Sequence, residues 1–139
     1  MVRKILFTGF LLSCNFSFSE EINCPLQVNP SSLNFASPDK SWVGYVYTAP
    51  LKLSGASFME DSPEKLYALK PYSTTEKKKQ FIATWRFEGK YPEGKWITCE
   101  YGDRVVSLSK KIADETNQCS VIYDKTKKDS PSSIKIDCK

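Results

Sequence analysis

Residues 95–109 read KWITCEYGDRVVSLS, and this stretch predicts the fold more directly than any other part of the chain. Two runs of strand-forming residues lie on either side of Gly102-Asp103, a dipeptide typical of a two-residue hairpin turn. Such a turn fixes the register, with these opposite pairs: Tyr101 and Arg104, Cys99 and Val106, Ile97 and Leu108. Because strand side chains alternate, these six residues share one face, which is apolar apart from Arg104. The stretch therefore predicts an antiparallel hairpin with one buried face.

Alternating apolar residues predict three further strands with one inward face each. The inward residues are Phe81, Ala83, Trp85 and Phe87 in the first, Cys119, Val121 and Tyr123 in the second, and Ile134, Ile136 and Cys138 in the third. Residues 42–59 are also rich in strand formers but are interrupted by Pro50. A short helix is expected over 63–69, after a helix-start pattern at 61–64. We predict a mainly β fold, an antiparallel sheet or small sandwich with one short helix, stapled by disulfides.

The first 19 residues have the layout of a secretory leader. A basic start that includes Arg3 and Lys4 precedes a mostly apolar run over 5–12, and small residues at Ser17 and Ser19 suit cleavage before Glu20. We therefore expect a signal peptide over 1–19 and one β-rich domain over 20–139. Export through a cleaved leader places the protein in the periplasm.

A second interpretation of the leader is a bacterial lipobox. Residues 11–14, Leu-Leu-Ser-Cys, resemble the site at which a cysteine becomes the lipidated first residue. The protein would then be an outer-membrane lipoprotein, and only in that case would it contact a membrane. In both interpretations Cys14 is unavailable for a disulfide bond.

The charge of the mature chain does not favour a nucleic-acid partner. The full sequence has 20 basic and 16 acidic residues, and loss of Arg3 and Lys4 with the leader leaves 18 and 16, a net charge of +2. Nucleic-acid-binding domains usually carry a strong basic excess on one face. The basic clusters at 77–79 and 125–128 are interpreted as solvated loops.

The remaining four cysteines, Cys24, Cys99, Cys119 and Cys138, predict a disulfide framework. Zinc sites usually bring ligands in close pairs, often with histidine, but these cysteines are widely spaced and the chain has no histidine. No metal and no cofactor is expected. Of the three possible pairings we favour Cys99 with Cys119, which joins two inward positions, and Cys24 with Cys138, which ties the chain ends together.

The sequence offers little for catalysis. Without histidine, Ser–His and Cys–His pairs are excluded, and no phosphate-binding loop or nucleophile elbow is present. Two carboxylate pairs, Asp61 with Glu64 and Asp114 with Glu115, could in principle support glycoside hydrolysis. Charged pairs in loops and helix starts are more often surface or capping residues. We therefore predict that the protein is not an enzyme.

Aromatic residues outside the predicted core could form a binding surface. Such residues are enriched at interface hot spots. The best candidates are Trp96, Tyr91, Tyr45 and Tyr47, with Tyr67 and Tyr72 as further members. Trp96 alternates away from the buried face of its strand, so it could either grip a partner or cover the back of the sheet.

Several motifs resemble a family of short, uncharacterised exported bacterial proteins known by a Salmonella locus-tag name. The matching features, which span most of the mature chain, are Cys24-Pro25, Leu69-Lys70-Pro71, Trp85, Trp96-x-x-Cys99-x-Tyr101 and Cys119-x-Val121. Cys138 is not part of that pattern. The resemblance implies a Gram-negative envelope protein without known enzymatic activity, and it supplies no catalytic residues.

The expected function is that of a periplasmic binding protein. One concrete version is an inhibitor or immunity protein that blocks a toxin or lysozyme-like enzyme, because a rigid β scaffold needs only a few loop residues to plug a cleft. The partner would then be a periplasmic protein. Two alternatives remain: a module that binds envelope glycan or lipid through Trp96, and a carboxylate-based glycan hydrolase.

Overall fold

The structure is a computed structural model, and it describes residues 20–33, 39–44, 46, 49–125 and 134–139. The proposed leader with Cys14, and the candidate binding residues Tyr45 and Tyr47, lie outside the described residues. The strands of the described part are β1 Glu20–Ile22, β2 Gln27–Val28, β3 Leu51–Glu60, β4 Ser73–Glu76, β5 Gln80–Arg86, β6 Lys95–Tyr101, β7 Val106–Lys111, β8 Gln118–Asp124 and β9 Ile134–Cys138.

These strands form two antiparallel sheets. The larger sheet has the order β1-β9-β8-β5-β4, and the smaller has the order β2-β3-β6-β7. The buried core contains residues of both sheets, so the sheets pack against each other through their apolar faces. The prediction of a mainly β, disulfide-stapled fold is thereby confirmed.

Phe58 of β3 marks the centre of the core. It is completely buried, and its ring centroid lies 5.1 Å from that of Trp85 and 5.4 Å from that of Phe87. Trp85 belongs to β5 of the other sheet, and its indole N–H donates to the Leu69 carbonyl oxygen over 2.9 Å. Aromatic pairs at these separations stabilise beyond the area that they bury. The alternation that predicted Ala83, Trp85 and Phe87 as inward residues is confirmed by their burial.

A hydrogen-bonded tyrosine links the two sheets near one end of the core. The Tyr123 hydroxyl of β8 donates to the Ala56 carbonyl oxygen of β3 over 3.1 Å and accepts from the Ala56 N–H over 3.3 Å. Tyr101 on β6 is also buried, in a smaller cluster with Leu53 and Cys99, but its hydroxyl has no hydrogen-bond partner among the described residues. The Tyr123 hydroxyl therefore joins the two sheets by hydrogen bonds, whereas the Tyr101 hydroxyl makes none among the described residues.

The hairpin around Gly102 has a longer turn than the sequence predicted. The two-residue turn is wrong, because the loop has four residues, 102–105, and Tyr101 lies opposite Val106. Gly102, Asp103 and Arg104 all have left-handed backbones, with φ of 58°, 55° and 74°. The loop is anchored to β3, since the Gly102 N–H donates to the Lys52 carbonyl oxygen over 3.0 Å.

The register error leaves the buried face of the hairpin unchanged. The true register is shifted by two residues, which pairs Cys99 with Leu108 and Ile97 with Lys110. Because side chains alternate with a period of two, an even shift keeps the paired residues on their predicted face, although Arg104 lies in the turn and Leu108 is exposed. Ile97, Cys99 and Tyr101 are accordingly buried.

The short helix predicted over 63–69 is wrong in length. A single 3-10 turn spans Pro63–Lys65, and Leu66 then adopts a left-handed backbone with φ of 57°. The following segment pairs with the end of β3, where the Glu60 N–H donates to the Tyr67 carbonyl oxygen over 3.0 Å. This strand-like pairing competes with continuation of the helix.

All four cysteines form disulfides, but the favoured pairing is wrong. The bonds join Cys24 to Cys99 and Cys119 to Cys138. Cys119 and Cys138 are directly opposite each other in neighbouring strands, with a Cα–Cα distance of 4.1 Å. The flanking residues Gln118 and Lys139 exchange both backbone hydrogen bonds, so the cysteines occupy a non-hydrogen-bonded pair, where side chains are closest.

Residues 20–22 do meet the C-terminal strand, though through hydrogen bonds rather than the predicted Cys24–Cys138 bond. Strand β1 pairs with β9, with Glu20 opposite Cys138. Cys24 follows β1 and reaches Cys99 on the other sheet, with a Cα–Cα distance of 5.9 Å. One disulfide therefore ties the N-terminal segment to the smaller sheet, and the other lies within the larger sheet.

The observed pairing predicts which thiol a cysteine substitution releases. We expect Cys99→Ala to leave a free thiol on Cys24, and Cys119→Ala to leave one on Cys138. Thiol alkylation followed by peptide mass mapping measures this directly. A free thiol on Cys119 in the Cys99→Ala protein would contradict the structure.

Substitutions of the buried Tyr101 and the half-buried Tyr123 should have opposite effects on the free energy of unfolding. Tyr123→Phe removes two hydrogen bonds between the sheets and should lower the free energy of unfolding by about 1–3 kcal/mol. Tyr101→Phe removes a buried hydroxyl without a partner in the described structure, so it should be neutral or stabilise by about 1 kcal/mol. Urea denaturation of both variants tests this, and equal losses would contradict the assignment.

Alkaline pH should destabilise the fold through these tyrosines. Burial raises the pKa of both Tyr101 and Tyr123 above the ordinary value of 10.0. The folded state then holds these protons more tightly than the unfolded chain, so their contribution is fully present below about pH 10 and is lost as the pH rises through the higher folded-state values. We expect a smaller loss between pH 9 and 11 in Tyr123→Phe than in the wild type, measured by urea denaturation. An identical pH dependence would contradict this.

Candidate functional site

Trp96 lies on the outer face of the smaller sheet, as its alternation predicted. It is half-buried, and its indole N–H donates to the Glu93 carbonyl oxygen over 3.2 Å. Its neighbours across the strands are Met59 of β3 and Lys111 of β7. Trp96 therefore covers part of the sheet and also keeps a solvent-accessible portion. Its predicted role in binding stays a prediction.

Tyr91 lies on a different side of β6 from Trp96. Its ring packs edge-on against Phe87 of the core, with centroids 6.2 Å apart, and the Lys95 ammonium lies 5.8 Å from its centre. Lys95 itself is buried, and its ammonium donates to the Asp114 and Thr116 carbonyl oxygens. Because Lys95 and Trp96 are adjacent in a strand, their side chains point to opposite faces. The structure therefore does not bring Tyr91 and Trp96 together.

Two strongly exposed aromatic residues, Tyr67 and Tyr72, lie in the segment that crosses from one sheet to the other. Leu66 beside Tyr67 is exposed as well. The preceding turn is held by ion pairs from Lys65 to Asp61 and Glu93. The ring of Tyr72 is covered on one face by the Arg86 guanidinium, 4.0 Å from its centroid. The Tyr72 ring is therefore held in place, and all three side chains are accessible to a partner.

The outer face of the larger sheet carries an open cavity of about 300 Å³. Its lining residues are Ile82, Gln118, Ser120, Ile122, Asp137, Cys138 and Lys139. The polar groups around it are paired with each other: the hydroxyls of Thr84 and Ser120 lie 3.0 Å apart, and Asp137 forms an ion pair with Lys135. The cavity could receive a single side chain of a partner.

Neither of the two carboxylate pairs considered for catalysis forms a buried site, and the half-buried Asp61 forms an ion pair with Lys65. Asp114 and Glu115 are both exposed in the turn before β8, and Glu64 is exposed at the 3-10 turn. Glu100 is more enclosed, but its oxygens accept from the Ser57 hydroxyl and the Arg104 guanidinium. Within the part of the chain that the structure describes, no group of three or more His, Cys, Asp or Glu residues could hold a metal ion.

The β6–β7 turn and β7 form a further accessible region. The Asp103 N–H donates to the Ser54 hydroxyl over 3.2 Å, which in turn donates to the Glu100 carbonyl oxygen. Beyond this fixed turn, β7 lies at the edge of its sheet with all residues after Val106 exposed. Sequence reasoning missed this region because an edge position is a property of the whole sheet order. The only local signal is the polar end of β7, Ser107 to Lys111.

Together, these features define a small, cross-linked β protein with accessible side chains and strand edges. Such features are typical of proteins that act by binding other proteins. No helix in the described residues is long and apolar enough to cross a membrane. The family model of the Type VI secretion system Tli immunity proteins matches residues 48–139. The chain belongs to this family. No curated protein and no solved structure shows detectable similarity to the chain.

The family membership confirms the predicted class of function, an inhibitor or immunity protein. The matched residues begin just before β3 and include both sheets except β1 and β2. Three of the four disulfide cysteines, Cys99, Cys119 and Cys138, fall inside the match, whereas Cys24 lies before it. The match does not bear on the resemblance to the family with the Salmonella locus-tag name, which stays a prediction.

Proposed function

We propose that this chain is an exported immunity protein that binds a type VI secretion effector in the periplasm and blocks it without catalysis. The observation that supports this most strongly is the family match over 48–139. In this proposal residues 1–19 direct export and are removed, and residues 20–139 form a single domain. The partner is a protein that attacks the cell envelope.

The disulfides support an oxidising compartment. Both bonds join buried or half-buried cysteines, and such bonds form and persist outside the reducing cytosol. Their loops differ, with sequence separations of 75 and 19 residues. In the chain-entropy description, loops of these lengths stabilise by about 4 and about 3 kcal/mol. A protein stabilised in this way depends on export for its full stability.

The mechanism in this proposal is steric. A sandwich with two covalent links changes shape little on binding, so less conformational entropy is lost when it docks on a partner. Exposed groups that are already fixed, such as Tyr72 beneath Arg86, need no reordering. Inhibition would therefore follow from occupying or covering the effector's working surface, and no bond in either protein would change.

Export should be necessary for protection. The toxin in this test is a type VI secretion effector that attacks the cell envelope, produced in a sensitive strain and directed to the periplasm. We expect the full chain to restore growth, and residues 20–139 produced without a leader to fail, because the binder and the toxin are then in different compartments. Viable counts measure the effect. Protection by the leaderless chain would contradict a periplasmic site of action.

A titration distinguishes a binder from an enzyme that inactivates the toxin. With purified proteins, inhibition should rise linearly with added chain and reach completion at a fixed molar ratio. Toxin recovered after separation from the complex should regain its activity. Complete inactivation by a small fraction of an equivalent would contradict the non-enzymatic mechanism.

A further inference from the structure

Within the described part of the chain, β7 lies at the edge of the smaller sheet, and the hydrogen-bonding groups on its outer side can be assigned from the ladder. The Ile112 N–H donates to the Lys95 carbonyl oxygen over 3.0 Å. Hydrogen-bonded pairs alternate in an antiparallel ladder, so Val106, Leu108 and Lys110 bond to β6. The backbone groups of Ser107, Ser109 and Lys111 then point away from the sheet. Among the described residues no strand pairs with this side of β7.

The apolar face of the smaller sheet is incompletely covered at this edge. Leu108 lies opposite Cys99, on the core-facing side of the sheet. Cys99 is only 7% exposed, whereas Leu108 is 43% exposed and Val105 in the preceding loop is 69% exposed. The smaller sheet has four strands and the larger has five. One more strand beside β7 would cover Leu108 and give both sheets five strands.

The charge of the edge indicates which kind of strand fits. Residues 103–111 contain three basic residues and one acidic residue, a net charge of +2, and including Glu100, the ion-pair partner of Arg104, leaves a net charge of +1. Lys111 is exposed at the end of the outward-facing row. A second copy of β7 would bring two positively charged edges together, which is unfavourable. A strand with Asp or Glu residues would instead be attracted.

We propose that an extended, acidic segment of the effector adds to β7 as a fifth strand of the smaller sheet. The inference rests on the proposed function, since it names how the effector is held. Backbone groups of Ser107, Ser109 and Lys111 supply the hydrogen bonds, and alternate side chains supply specificity. The added strand carries apolar residues on the side of Leu108 and acidic residues near Lys111.

The other edges of the described sheets are poorer docking sites. Strands β1 and β2 have three and two residues, and β4 has four, compared with six in β7. All four side chains of β4 are polar, so its edge leaves no apolar surface to be covered. Because longer edges provide more main-chain hydrogen bonds, β7 is the preferred strand.

A proline substitution tests the edge without disturbing the internal ladder. Ser109→Pro removes an outward N–H, and the N–H groups that bond to β6 stay in place. It also removes the Ser109 hydroxyl, which lies 2.8 Å from the hydroxyl of the buried Thr98, so Ser109→Ala, which keeps the N–H, is a second control and should bind like the wild type. The matched control is Thr74→Pro at the edge of β4. Lys77 and Gln80 exchange both hydrogen bonds, so the Thr74 N–H also points outward. Thermal unfolding of both variants confirms that each remains folded.

Calorimetry with the purified toxin that the wild-type chain neutralises in the growth test is the measurement. We expect Ser109→Pro to raise Kd by at least about tenfold, as loss of one main-chain hydrogen bond and of close strand contact implies. Thr74→Pro should bind within about twofold of the wild type. Lys111→Glu should lower the association rate and its salt dependence, whereas Lys78→Glu at the β4–β5 turn should not.

Hydrogen exchange gives an independent readout. The amides of Ser107, Ser109 and Lys111 should become protected in the complex, and that of Thr74 should not. Unchanged affinity in Ser109→Pro, or loss of affinity in Thr74→Pro instead, would overturn the assignment to β7. A wild-type dimer in gel filtration that Ser109→Pro abolishes would assign the edge to a second copy and overturn the effector as occupant.

Failure of the inference differs from failure of the proposed function. If the wild type binds and inhibits the toxin while Ser109→Pro does so equally well, only the edge assignment is overturned. If the wild-type chain neither binds nor inhibits the toxin, the proposed function is overturned together with the inference that rests on it.

Discussion

The rest of the structure depends on the contact between the two sheets at Phe58. This side chain is fully buried and packs against Trp85 and Phe87 of the opposite sheet. Neither sheet could bury its apolar face alone, because a single twisted sheet leaves that face in water. The contact therefore makes one core out of two sheets. The Tyr123 hydroxyl adds a polar link at Ala56 that fixes how the sheets are aligned.

The two disulfides complete this arrangement in different ways. The Cys119–Cys138 bond joins neighbouring strands that are already paired, so it reinforces the larger sheet. The Cys24–Cys99 bond ties the segment after β1 to β6, and β1 itself belongs to the larger sheet. Because only a short segment separates Cys24 from β1, the bond holds the larger sheet close to the smaller one. A scaffold closed in this way can leave β7 at an open edge without losing its core, which suits a protein whose family acts in immunity.

Much of the local structure was predictable because it depends on alternation. The inward positions Ile97, Cys99 and Tyr101 are buried as expected, and an error of two residues in the hairpin register did not move them. The register itself was not predictable, since the turn is held by β3 through the Lys52 carbonyl oxygen. For the candidate site, the exposure of Tyr72 was foreseeable, whereas the open edge of β7 was not. An edge exists only once the order of all strands is known.

The β class, the inward faces of the strands and the cross-linking of four cysteines could be predicted from the sequence alone. These features depend on side-chain alternation and on the number of cysteines, and neither requires knowledge of which strands are neighbours. Only the tertiary structure decided which cysteines bond. Cys138 lies opposite Cys119 because β8 and β9 are neighbours, while Cys99 is in the other sheet. A disulfide requires Cα atoms within about 7 Å, and that proximity is set by strand order rather than by spacing along the chain.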